Sequence, residues 1–313
     1  MMPKANSKRL VAAMLVGASL IIRTDAGAAK MAILQKVWQP MCEVSEELDT
    51  IASDLLDKAD TVLTAAAALE TEALQIQVYL AAEPKDPDVR GLTALWAYLT
   101  TKAAGAREHL KHTTLQNQLN AAKQTSYLKG RIDEWLNAAS ATYGSSHGCL
   151  ATPDGNAAKI DGGSINGVSC KIEATEVTKK TATRTHATGA GFKNLVKATN
   201  AATEHQDDNA KCRFFGDGNT NGLLHTDTET PGGKFAAGYF SVSASSGATL
   251  KLEDVTNADT IMDPELKQWK QTAAALRATE QAQPLEHQNQ SSTMEEDESS
   301  KELFKKLNLE EKE

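Results

Sequence analysis

The stretch LQKVWQPMCEVSEELDTIASDLLDKADTVLTAAAALETEALQI, residues 34–76, sets an apolar side chain at every seventh position: Leu34, Met41, Leu48, Leu55, Val62, Leu69 and Ile76. A second apolar set, Val44, Ile51, Ala59, Ala66, Ala73 and Leu80, follows it three or four positions on. Together they form the seam of a coiled coil, sustained beyond the three or four heptads that make such a pattern dependable. Charged residues such as Glu46, Glu47, Asp57, Lys58 and Glu70 occupy the outer face. Proline is tolerated only in a first helical turn, so Pro40 places the start of the regular helix near residue 41, and the helix is expected to run to about residue 82.

Two prolines in EPKDPD, Glu83 to Asp88, end that helix and turn the chain. A second helix is expected over about 91–141, its stripe carried by Leu92, Leu95, Leu99, Ala103, Ala106, Leu110, Leu128, Ile132 and Trp135. A short connector makes the two arms antiparallel neighbours. The stretch HTTLQNQLNAAKQT, starting at His112, is more polar than its flanks, which weakens the seam there but not the helix. From Tyr143 the composition turns to Gly, Ser, Thr, Asn and Asp, with short β-like runs at Phe235–Val242 and Thr249–Leu252, as in a loop-rich head. Within the head, GFKNLVKATNAATE (191–204) is compatible with a short helix. Helical pattern returns at Asp263-Pro264, an N-cap followed by proline, and reaches about residue 282. The expected fold is therefore mainly α: an elongated antiparallel helical hairpin with a loop-rich head, about 143–262, that contains short β-strands and is linked by disulfides.

Composition limits what such a chain does. Its 33 Lys and Arg against 41 Asp and Glu leave a formal charge of −8, and clustered cations occur only in the first nine residues, which argues against a nucleic-acid partner. Those cations, Lys4, Lys8 and Arg9, precede the apolar run Leu10–Ile22 and the small-residue site Ala26-Gly27-Ala28, the layout of a cleaved signal peptide over residues 1–28. The apolar run is too short to cross a bilayer about 30 Å thick. A charged tail, 289–313, closes the sequence with neither a membrane helix nor a glycolipid-anchor signal.

The candidate chemical motifs read as structural. Gly144-Ser145-Ser146-His147-Gly148 fits G-x-S-x-G, yet a helix precedes it where a nucleophile elbow needs a strand. Asp217, Asn219 and Asn221 have calcium-loop spacing, but Thr228 stands where the bidentate Glu belongs. His109 and His112 are three apart on the second helix and could share a face, a pair read as a solvated edge and not as a metal site. No phosphate-binding glycine loop occurs, and the reading is of a protein without catalytic residues, metal or cofactor. Asn289-Gln290-Ser291 is a glycosylation sequon in polar surroundings.

The four cysteines, Cys42, Cys149, Cys170 and Cys212, follow a leader and lack zinc spacing, so two disulfides are expected. Four cysteines allow three connectivities. Cys42 lies on the first helix and the others in the head, so at least one bridge ties head to rod.

A leader, VWQPMCEVSEEL opening a long hairpin, and Cys149, Cys170 and Cys212 in a loop-rich head together resemble the N-terminal domain of trypanosome variant surface glycoproteins of the A type, over about residues 29–288. The resemblance implies the pairs Cys42–Cys170 and Cys149–Cys212, and a homodimer formed through the hairpin. It further implies a dense surface coat at the plasma membrane, held by a C-terminal glycolipid and exposed to host antibodies. A nutrient receptor or host-factor binder built on the same scaffold is the alternative it allows. Members of the family continue past this point with a cysteine-rich domain and an anchor signal, neither of which is expected here.

Overall fold

A computed structural model of the chain describes residues 32–145, 147–197, 212, 233–242 and 250–280. The leader, Ser146, the segment Asp217–Thr228, Asn289 and the charged tail lie outside the described residues.

Helix α1 spans Gln35–Ala82, 48 residues and about 72 Å. It starts before the expected residue 41, because the chain ahead of it is anchored. Ile33 donates its N–H to Cys149 at 2.8 Å and accepts from Ala151 at 2.9 Å, and the Trp38 indole donates to Ala151 O at 2.9 Å. With both sides held, the helix tolerates the one hydrogen bond that buried Pro40 omits. The apolar ladder faces inward as its period requires: Met41, Val44, Leu48, Ile51 and Leu55 are buried, as are Ala66, Leu69 and Ala73.

Glu83 to Asp88 make the turn, and Tyr79 Oη donates to Asp86 at 2.5 Å across it. The return arm is helical throughout. It comprises α2 (Val89–His109), a π-helical turn (Leu110–Thr114) and α3 (Leu115–Ser140). The π turn has a counterpart in spacing. Ala106, Leu110, Thr114 and Gln118 follow at three successive intervals of four, and the wider turn falls among them. The apolar core divides near this level. Leu69, Ala73, Leu99 and Ala103 form a small cluster toward the tip, while the main cluster joins the lower rod to the head.

In the head, antiparallel pairs two residues long join β1 (Leu150–Ala151) to β2 (Ala157–Ala158), β3 (Ser164–Ile165) to β4 (Val168–Ser169), and β5 (Ala187–Thr188) to β6 (Gly191–Phe192). A three-stranded sheet follows, from β7 (Lys234–Phe235), β8 (Phe240–Val242) and β9 (Leu250–Leu252). Strands this short hold by what they pack on. Trp135 of α3 lies 4.5 Å from the Phe235 ring and 4.8 Å from that of Phe240. Helix α4 (Lys267–Glu280) brings Trp269 edge-on to Phe192 at 4.8 Å. Asp263 caps the 3₁₀ turn before α4 by accepting from Glu265 N at 2.9 Å. Gly191 and Phe192 therefore sit in a strand where a helix was compatible with the sequence, because Phe192 is drawn into the aromatic core; residues 198–204 lie outside the described ones.

Gly191 is required where it stands. Its φ is +149°, and an added Cβ would meet Thr256 O at 2.1 Å. The neighbouring bond from Phe192 N to Val255 O, 3.0 Å, holds the two segments that close together. Gly191→Ala is expected to destabilise the protein by about 2–3 kcal/mol, as forced overpacking does, measured by urea unfolding.

Candidate functional site

The described structure concentrates its polar chemistry where the head grips the rod. Residues 171–186 carry no strand pairing, so their backbone N–H groups need other acceptors. They find them on α1. Lys171 N donates to Glu46, Thr175 N to Asp49 at 3.3 Å, and Thr178 N to Ser53 Oγ at 3.2 Å. Lys179 Nζ then reaches Asp60 at 2.8 Å, the far point of the path. The chain returns through Thr181 Oγ1 on Asp57 at 2.8 Å and Ala182 N on Asp54 at 3.2 Å. This strap thus runs out and back along about 20 Å of α1.

Glu47 closes the strap. Its carboxylate accepts from Thr185 N at 2.9 Å, His186 N at 2.7 Å and Ala187 N at 2.8 Å, and from the Thr185 hydroxyl at 2.9 Å. The His186 ring lies between Glu47, 2.8 Å from Nδ1, and Glu43, 3.4 Å from Nε2. Burial pushes the Glu47 carboxyl up, but the backbone donors Thr185, Ala187 and His186 and the His186 side chain outweigh it, and the net pKa is lowered.

Two buried charge clusters lie beneath. Lys129 of α3 donates to Asp133 at 2.7 Å, to Lys171 O at 3.3 Å and to Ser45 Oγ at 3.4 Å, while Ser45 Oγ donates to Asp133. Arg184 of the strap lies 3.9 Å from buried Asp54 and 3.5 Å from Glu280 at the end of α4. Removing one member of such a pair leaves an uncompensated buried charge, so these clusters fix one arrangement of rod, strap and α4.

The disulfides complete the attachment. Cys42 is bonded to Cys170, immediately before the strap, and Cys149 to Cys212, with sequence separations of 128 and 63. All four cysteines are buried.

The other residues singled out from sequence do not converge. Gly144 forms a tight turn with His147 after α3, its N–H donating to His147 O at 2.7 Å, in place of a strand-to-helix elbow. His112 pairs with Glu108 at 2.7 Å on the exposed face. No group of three or more metal-ligating side chains occurs among the described residues, and no described helix is long and apolar enough to cross a membrane.

Sequence reasoning placed Glu46, Glu47 and Asp57 on the outer face of the helix but did not foresee that all three bind the strap there. Their signal was present in the charge balance: between Lys36 and Lys85 the chain carries a single cation, Lys58.

The profile of the family described as trypanosome variant surface glycoprotein (A-type) matches residues 13–313. The chain belongs to that family. Two curated variant surface glycoproteins of Trypanosoma brucei brucei are similar to it. MITAT 1.2 is 30% identical over 296 residues, 92% of this chain and 61% of that protein. MITAT 1.1 is 26% identical over 293 residues, 91% of this chain and 59% of that protein. This variant surface glycoprotein chain thus spans about three-fifths of the length of the relatives it matches. A solved structure of MITat 1.1 superposes with a TM-score of 0.69 at 24% identity, covering 79% of this chain and 69% of that one, and shares its fold.

Proposed function

We propose that the chain is the rod-and-head portion of a surface-coat glycoprotein, packed densely at the plasma membrane of a trypanosome and exposing its head to host antibody. The observation that carries this reading is the division of labour in the fold. A stiff, narrow hairpin supplies the packing unit, and a head with little regular structure is fastened to it by bridges and strap contacts around a shared apolar core. Loop segments fastened in this way tolerate sequence change while the rod keeps its shape. Live trypanosomes expressing the chain should bind antibody raised against it uniformly, with the chain dominating labelled surface protein. Sparse labelling confined to one site would overturn the coat role in favour of a receptor.

The coat unit is proposed to be a homodimer formed through the hairpin. Besides its buried seam, α1 carries a second apolar stripe: Leu56, Leu63, Leu74 and Val78 fall within about 60° of one another at 100° per residue. Leu63 is 42% exposed and Leu74 59%, and on the return arm Leu119 is 63% exposed. Two helices cannot cover both stripes, and an identical surface related by a twofold axis does. Leu63→Glu combined with Leu74→Glu is expected to weaken self-association at least about tenfold, measured by analytical ultracentrifugation. A wild-type chain that stays monomeric throughout, or variants that associate equally well, would refute it.

Asn289 is proposed to carry an N-linked glycan, on the strength of its sequon and polar surroundings. Protein secreted from eukaryotic cells should lose mass on treatment with an N-glycosidase, and Asn289→Gln should abolish that shift.

A further inference from the structure

Away from the strap, α3 and α4 flank a cleft of about 330 Å³ whose floor is the turn after β7. Tyr127 and Arg131, one turn apart on α3, form one wall; Lys267 and Gln271, one turn apart on α4, form the other. Lys234 reaches in from β7, 3.2 Å from Glu265. Three cations thus face one carboxylate, in a chain whose formal charge is −8.

Stability does not explain this arrangement. Arg131 and Lys267 have no ion-pair partner among the described residues. Lys267 is also the first residue of α4, where the helix dipole disfavours a cation. The floor is held rigidly in a conformation that alanine rarely adopts: Ala236, Ala237 and Gly238 have φ of 47°, 52° and 89°. Trp269 Nε1 secures this turn by donating to Ala236 O at 3.1 Å.

We propose that the cleft binds an acidic sugar residue, a pyranose bearing a carboxylate. The Arg131 guanidinium offers a planar fork for that carboxylate, and Lys267 and Lys234 add charge without competing for the same geometry. The Tyr127 ring, in a residue 57% exposed, presents a face for the sugar, and the Gln271 amide serves its hydroxyls. The volume lies at the lower end of the range for small-molecule pockets, about 300–1,000 Å³, and exceeds what a lone oxyanion requires. Apart from Ala237, Gly238 and the Tyr127 ring the lining is polar, which disfavours a wholly apolar ligand.

The test uses the whole chain with 3′-sialyllactose, lactose and inorganic phosphate as probes, followed by calorimetry and saturation-transfer NMR. Sialyllactose is expected to bind with saturation focused on its acidic sugar, and lactose is expected not to bind. Arg131→Gln with Lys267→Gln, both exposed positions, should weaken binding at least about tenfold while leaving the circular dichroism unchanged. Tyr127→Ala should weaken it with the cations intact. Absence of binding, equal binding of lactose, or affinity unaffected by the double variant would overturn the site. Phosphate binding as tightly as sialyllactose would overturn its assignment to a sugar.

Discussion

Replacing Cys42 and Cys170 together by alanine is expected to lower unfolding free energy by about 4–5 kcal/mol, the largest effect of any disulfide change in this chain. The bridge closes a loop with a sequence separation of 128, and releasing it restores that freedom to the unfolded chain. Changing both residues avoids a buried free thiol and leaves only a small void, so the effect reports the cross-link itself. The second bridge, Cys149–Cys212, closes a separation of 63. A twofold shorter loop is worth about 0.6 kcal/mol less, so the Cys149→Ala, Cys212→Ala pair should be slightly milder. Urea titration of both double variants measures the difference. A Cys42/Cys170 variant that loses under about 1 kcal/mol would show that the strap and buried ion pairs hold the head without the bridge.

The rod was legible in the sequence because its information is repeated. Each heptad from Met41 to Ile76 restates the same inward face, and two prolines in Glu83–Asp88 state the turn, so errors at single positions do not change the reading. The π turn was not foreseen: the polar stretch from His112 weakened the seam in the reading but left a regular helix expected there. The head lacks that redundancy. Its strands are two or three residues long, and Phe192 belongs to one of them only because Trp269, far along the sequence, supplies a surface for it. The strap was least legible. Glu47 and Thr185 are 138 residues apart, and a carboxylate on the outer face of a helix reads as solvated until the segment that covers it is known. What the sequence did contain was the imbalance: an α1 with one cation along most of its length, and a threonine-rich segment, KIEATEVTKKTATRTHA, carrying Lys171, Lys179, Lys180 and Arg184. Charge complementarity between two distant segments is a weaker signal than periodicity because it fixes no register.

Glu47→Ala is expected to cost about 3 kcal/mol, since it leaves the N–H groups of Thr185, His186 and Ala187 without their shared acceptor. Water reaches part of this site, which holds the cost below that of three fully buried orphaned donors. The loss should also depend on pH in a defined direction. The Glu47 carboxyl is held below its ordinary value of 4.5 in the folded chain, so the folded state binds its proton less readily than the unfolded state does. The stability it contributes is therefore complete above the ordinary value and disappears as pH falls through the lower, folded value. Unfolding free energies of the wild-type and Glu47→Gln chains should differ most at neutral pH, and the gap should narrow steadily on acidification below about pH 4.5. Hydrogen exchange gives a local check: the amides of Thr185, His186 and Ala187 should lose protection in Glu47→Gln, while those of the α1 seam around Leu48 and Ile51 keep theirs. A gap that stays constant with pH would mean that Glu47 holds the strap by packing, and that its charge is incidental.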